Sequence, residues 1–249
     1  MIVKIKNKKI GYNFPPIIIA EISSNHNGNK KKFLELIKSA CLNGADFIKI
    51  QTYEPKDITL KRSEGQFYIQ KGIWKNKNLW NLYKKACTPF SWHAEAFKIA
   101  KKYKKTIFST PFSLRGVDLL ESLGCQLYKI ASFEITDLKL IRYIASKKKP
   151  IIISTGMASI QEIKNALNEI KKYHSKIIIM HCVSSYPTKL EEVNLNRLGQ
   201  LKTLYKNCLV GLSDHTSDIT SSIASISLGV VAIEKHFKIN SKIKTTDSL

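Results

Sequence analysis

Two histidine-terminated runs carry the densest chemistry in the chain: Gly211-Leu212-Ser213-Asp214-His215 and Ile233-Glu234-Lys235-His236. Each follows a short apolar stretch, and the segment between them, Thr216 to Leu228, reads as one helix. As neighbouring parallel strands, the two runs would set His215 and His236 side by side at one end. Side chains alternate along a strand, so Ser213 would share a face with His215, and Glu234 with His236. Two imidazoles, a hydroxyl and a carboxylate would then meet at one spot. That set looks like a partial metal site beside an anion site, with positions left open for substrate.

Two lysines inside apolar runs extend the set. Lys49 sits between Ile48 and Ile50, and Lys129 between Tyr128 and Ile130. A buried ammonium is costly unless it is paired or faces an anion. One reading pairs each lysine with a carboxylate such as Glu21. The other has both ammonium groups and several strand-end hydroxyls holding a small molecule that bears phosphate and carboxylate. Polar residues do gather where apolar runs end: Gln51, Ser109, Thr110, Ser132, Ser154 and Ser184. Glu21, Glu134 and Glu234 are candidates for proton transfer, or for partners of the lysines and histidines. His181 reads as a satisfied core histidine, and His93 and His174 as packing or surface residues on helices.

The elements that would position these groups follow from apolar patterning. Residues 1–16 read as a polar lead-in with a hairpin around Gly11. Strands are expected at Ile17–Ala20, Phe47–Gln51, Thr106–Ser109, Leu127–Ile130, Pro150–Ser154, Lys176–His181, Leu209–Ser213 and Val230–Lys235. They are short, β-branched and apolar, as in a parallel sheet covered on both faces. Helical patterns separate nearly all of them, with Asn29 as one N-cap and Ser159-x-x-Glu162 as a capping box. A long aromatic insertion runs from Thr52 to about Thr88 and reads first as local core. Eight strands in this alternation predict an α/β fold, a (β/α)8 TIM barrel, whose active site lies at the C-terminal strand ends. The sequence stops at Leu249, so an eighth helix and its cover over strands eight and one are expected to be lacking.

Composition narrows the function classes. With 249 residues, 43% of them hydrophobic, the chain can build one large core. The five cysteines are odd in number and widely spaced, with no CxxC pair, which argues against a disulfide framework or a zinc ribbon. No signal peptide and no transmembrane run is present, and a cytoplasmic setting is expected. The formal charge of +22 comes from lysine clusters spread along the chain, such as Lys30-Lys31-Lys32. Without an arginine-rich arm or an aromatic-basic ladder, specific nucleic-acid binding is not expected.

The segments Glu21-Ile22-Ser23-Ser24-Asn25-His26-Asn27-Gly28, Ile48-Lys49-Ile50-Gln51, Ser109-Thr110-Pro111-Phe112, Tyr128-Lys129-Ile130-Ala131-Ser132, Ser154-Thr155-Gly156, Tyr186-Pro187 and the two histidine runs together resemble the sialic acid (nonulosonic acid) synthases. The match runs from about Ile17 onward and holds at every expected strand. Phe133, Ser184 and the Gln66–Trp74 stretch resemble the branch of that family that makes pseudaminic acid. The resemblance implies condensation of phosphoenolpyruvate with an acetamido sugar. It implies Mn2+ or Mg2+ held by His215 and His236, and Lys49 near the phosphoenolpyruvate carboxylate. Thr110, Lys129, Ser132, Ser154 and Ser213 would surround the phosphate. Glu21, Glu134 and Glu234 would lie near the reacting carbons and the attacking water, and Gln51, Asn25, Tyr186 and Asp247 would face the sugar. The family also implies a homodimer whose small C-terminal, antifreeze-like domain completes the partner's site. Such a domain is not part of this sequence, and weak or absent turnover of the barrel alone is the expectation. Alternatives left open are an N-acetylneuraminate or legionaminate synthase, a barrel remnant that binds an anion or a partner, and a metal-dependent barrel hydrolase.

Overall fold

The structure, a computed structural model, describes residues 1–71, 74–240 and 245. A hairpin of β1 (Val3–Ile5) and β2 (Lys8–Ile10) comes first. Then follow β3 (Ile17–Glu21), α1 (Lys30–Leu42), β4 (Phe47–Thr52), α2 (Pro55–Ile58), α3 (Leu79–Ala86), α4 (Phe90–Lys102) and β5 (Thr106–Pro111). The chain continues through α5 (Leu114–Ser122), β6 (Tyr128–Ile130), α6 (Leu138–Ser146), β7 (Ile151–Ser154), α7 (Ile160–Lys171) and β8 (Ile177–Cys182). It ends in α8 (Asn196–Leu204), β9 (Leu209–Asp214), α9 (Thr220–Ser227) and β10 (Ala232–His236). Strands β3 to β10 close in chain order into a parallel barrel, with β10 beside β3. This is the expected (β/α)8 barrel. No helix follows β10 among the described residues.

The strands bury nearly every side chain because helices cover their outer face and apolar side chains fill the interior. Ile151, Ile152 and Ile153 of β7 are fully buried although they alternate between the two faces. Inside, Phe47 meets Phe108 edge to face at 6.3 Å. The helices start where the sequence places polar caps: Asn29 accepts from the Lys32 N–H, and Ser159 and Glu162 form the reciprocal box. Among the described residues, no helix is long and apolar enough to cross a membrane.

Three details differ from the sequence reading. The N-terminal hairpin turns at Lys6-Asn7, where Lys6 has φ +50°, and not at Gly11. Its Val3, Ile5 and Ile10 are buried, so the lead-in is part of the core and not a polar preface. Alternation over three-residue strands is too short to read in advance. Lys8 pairs with Asp46, which precedes β4 and also accepts from the Ile18 N–H, so the hairpin lies against the N-terminal rim of the barrel. Finally, α9 begins at Thr220. Asp214 accepts from the Thr216 N–H and Asp218 from the Thr220 N–H, and these local bonds close turns in competition with the helix.

Candidate active site

Strand register brings the predicted groups together at the C-terminal rim. Glu234 of β10 lies opposite Ser213 of β9, and Glu21 of β3 lies between His236 and Lys49. The rim holds an open cavity, about 450 Å³ counted out into the solvent at its mouth. Glu21, Lys49, Gln51, Thr110, Lys129, Ser132, Ser154, Tyr186, Ser213, His215, Glu234 and His236 all line it.

At its floor, one carboxylate serves two ammonium groups. Glu234 Oε1 is 2.9 Å from Lys49 Nζ, and Oε2 is 2.8 Å from Lys129 Nζ. Ser213 donates to Oε1 at 3.2 Å. Lys49 also reaches Glu21 Oε2 at 3.2 Å, and Gln51 donates to Glu21 Oε1 at 3.2 Å. Burial works against the Glu234 charge, but the two lysines win and hold its carboxyl well below the usual range. Glu21 is pushed up instead, by burial and by the nearby Glu234 charge, against the pull of Lys49. Burial lowers Lys129, whereas the two carboxylates raise Lys49 despite its burial. Each lysine is therefore paired with a carboxylate, and both line the cavity.

Hydroxyls form the adjoining wall. Thr110 is 1% exposed and its Oγ1 has no hydrogen-bond partner among the described residues. A buried hydroxyl in that state costs free energy until an acceptor arrives. Ser132 Oγ sits 3.0 Å from Cys182 Sγ. Gly156 lets this wall close: a Cβ there would stand 2.6 Å from Ser184 Oγ, 2.7 Å from Cys182 Sγ and 3.0 Å from Ser132 Oγ. Lysine and hydroxyl donors converging on one pocket suit a phosphate or carboxylate.

The imidazoles stand above that floor, with ring centroids 5.5 Å apart. His215 donates from Nδ1 to the Val183 carbonyl at 2.8 Å, which leaves the Nε2 lone pair available. Nε2 lies 3.3 Å from both Tyr186 Oη and Ser213 Oγ. Burial and the neighbouring His236 drop the His215 pKa to about 3, so the ring is neutral. Among the described residues, no cluster of three or more His, Cys, Asp or Glu side chains is placed to hold a metal ion. Two imidazole nitrogens would suit a cation such as Mn2+ that takes its other ligands from oxygens; two donors alone do not make a closed zinc site.

Other predicted residues fall at the edge. Tyr186 stacks on His215 at 4.4 Å, and Trp74 of the insertion approaches Tyr186 at 6.5 Å, so one aromatic of that insertion reaches the cavity mouth. Glu134 lies beside the lining, and burial and the Asp137 charge raise its pKa to about 7. Asn25 does not line the cavity. Its amide donates to the Phe237 carbonyl and accepts from Thr245, which ties down the chain after β10. Asp247 lies outside the described residues. His181 is the core histidine expected, bonded to the Val193 carbonyl at 2.7 Å, and His93 bonds Thr52 inside the fold. Cys182 and Phe133 line the cavity without having been foreseen. Alternation in Met180-His181-Cys182 held the signal for Cys182, since an outward His181 turns both neighbours inward.

A family model described as the NeuB family matches residues 36–249. A pseudaminic acid synthase of Helicobacter pylori is 44% identical over 235 residues, 94% of this chain and 69% of that protein. An N,N'-diacetyllegionaminic acid synthase of Campylobacter jejuni is 38% identical over 234 residues, 93% of this chain and 70% of its own length. The crystal structure of an N-acetylneuraminic acid synthetase from Leptospira borgpetersenii, in complex with citrate, superposes with a TM-score of 0.88 at 30% identity, covering 100% of this chain and 83% of that one.

Proposed function

The chain belongs to the NeuB family, and on that premise we propose that it condenses phosphoenolpyruvate with an acetamido sugar, releasing phosphate. We further propose a diacetamido-trideoxy hexose as the sugar and pseudaminic acid as the product. The observation that carries the reading is the shared carboxylate: Glu234 holds Lys49 and Lys129 at 2.9 and 2.8 Å on the floor of a cavity roofed by two imidazoles. A metal-dependent hydrolase has no use for two buried ammonium groups beside a wall of hydroxyls. The similarity to the Helicobacter pylori enzyme supports the choice of sugar, and the Campylobacter jejuni relative keeps a legionaminic acid precursor as the second candidate.

The residues divide the work by chemistry. Lys49 and Lys129, with Thr110, Ser132, Ser154 and Ser213, would bind the carboxylate and phosphate of phosphoenolpyruvate and fix its plane. His215 and His236 would hold Mn2+ or Mg2+, which when bound polarises the sugar aldehyde as a Lewis acid. The enol carbon then forms the new C–C bond to the aldehyde carbon. Water adds to the adjacent carbon, and the C–O bond to phosphate breaks. Glu134, with its pKa near 7, can take a proton from that water at neutral pH. Glu21 lies beside Lys49 to steady charge as it develops. Tyr186, stacked on His215, and Gln51 would face the sugar. Holding two small reactants in line contributes on the order of 7–11 kcal/mol at best.

The test is phosphate release from phosphoenolpyruvate with a panel of acetamido sugars, with and without Mn2+. Release that is largest with the diacetamido-trideoxy hexose is expected. Equal release without any sugar would remove the condensation reading.

A further inference from the structure

The motifs that carry the two histidines also carry Asp214 and Lys235, which the proposed chemistry leaves unused. They alternate with the cavity-lining residues, so they point to the outer face of β9 and β10. Lys235 stands opposite Asp214 in the last pair of the β9–β10 ladder. His215 lies one residue beyond that pair, where no ladder bond fixes it to β10.

A side-chain network takes over at this point. Lys235 Nζ is 3.0 Å from Asp214 Oδ2, and it donates to the Thr216 carbonyl at 2.8 Å. It therefore grips the residues on both sides of His215. Asp214 closes the turn by accepting from the Thr216 N–H at 2.9 Å and the Thr216 hydroxyl at 2.8 Å. Its other oxygen accepts from Ser222 of α9. His215 is also tied to the loop after β8, its ring to the Val183 carbonyl and its own carbonyl accepting from the Thr188 N–H at 2.9 Å, while its Nε2 lies 3.3 Å from Tyr186 Oη of that loop and from Ser213 Oγ of β9. Lys235 is thus the β10 side chain that reaches past the ladder to the His215 turn, and it directly precedes His236.

We propose that Lys235 is a positioning residue, which from the outer face of the barrel clamps the His215 turn to the strand that carries His236 and so sets the spacing of the two imidazoles. The proposal deepens the proposed function and rests on the reading of that imidazole pair as the metal-holding group.

The test compares two probes on the folded chain, Mn2+ followed by electron paramagnetic resonance and inorganic phosphate followed by calorimetry. In Lys235→Met, Mn2+ affinity falls about tenfold to a hundredfold, while phosphate affinity changes less than about twofold. Asp214→Asn keeps the side-chain shape and weakens the grip on Lys235. It gives a smaller Mn2+ loss with phosphate again spared, and it serves where Lys235→Met folds poorly. Unchanged Mn2+ affinity, or equal loss for both probes, overturns the proposal. A metal-free readout is the His215 Nδ1–H proton resonance, protected by the Val183 carbonyl. It is expected to broaden or vanish in Lys235→Met while the His181 ring proton persists. If the wild-type chain takes no Mn2+, the metal reading fails, and this resonance alone decides: an unaltered signal overturns the clamp.

Discussion

Lys129 Nζ and Glu234 Oε2 form an ion pair 2.8 Å long, with side chains 1% and 6% exposed. Lys49 occupies the other oxygen of the same carboxylate. Removing one member of a buried pair leaves a charge without compensation, which costs more than the pair itself contributes. Glu234→Gln strands Lys129 and leaves Lys49 with Glu21 as its one remaining carboxylate partner among the described residues. It is expected to cost about 3–5 kcal/mol in urea unfolding. A loss below about 1 kcal/mol would show that water reaches these lysines.

Thr110 offers a change with opposite signs in two measurements. Its buried hydroxyl has no partner among the described residues, so Thr110→Val removes an unmet polar group and leaves the free chain as stable or more stable. In the proposed function the same change would remove a donor to the bound anion. Phosphoenolpyruvate affinity is expected to drop about tenfold or more, since a hydrogen bond to a charged group contributes about 1.5–3 kcal/mol. Calorimetry on the one protein checks both signs.

Glu134 makes stability depend on pH. Burial raises its native pKa to about 7 from the ordinary 4.5. Between these values the folded chain keeps a proton that the unfolded chain has released. Its contribution is therefore complete below the unfolded value and is lost as pH rises through 7. From about pH 5 to about pH 8, the wild type should lose about 1–3 kcal/mol relative to Glu134→Gln. Paired urea midpoints at the two pH values measure this. The same variant should also lack the limb near neutrality in the rate of phosphate release.

Gly156 keeps three polar tips close together. In Gly156→Ala the new methyl would lie 2.6 Å from Ser184 Oγ and 2.7 Å from Cys182 Sγ, so those side chains must turn away. Overpacking of this kind costs about 1–3 kcal/mol. Phosphate binding should weaken about tenfold, as one charge-assisted donor is withdrawn. Retained affinity would place the anion elsewhere in the cavity.

Much of this site was legible because strands impose a period of two. Ser213 with His215, Glu234 with His236, and the lysines set inside apolar runs all read directly from alternation, and the register then joined them. What could not be read depends on contacts between distant segments. Asn25, expected to face the sugar, also secures the exit of β10, and its partners there, Phe237 and Thr245, lie more than two hundred positions away. Trp74 looked like local core because nothing near it in sequence announces Tyr186. The shape of the N-terminal hairpin was hidden by strands too short to show a pattern.

That hairpin has a kinetic consequence. Val3, Ile5 and Ile10 pack into the core at the N-terminal rim, and the cavity described above lies at the opposite rim. Ser213 and Glu234 sit two residues before the histidines on their strands, about 6–7 Å deeper. In the proposed reaction, whatever seats against the lysines would enter before the sugar, and the phosphate released there would leave after the larger product. Traffic through the proposed reaction would then be a queue in which the first to arrive is the last to go.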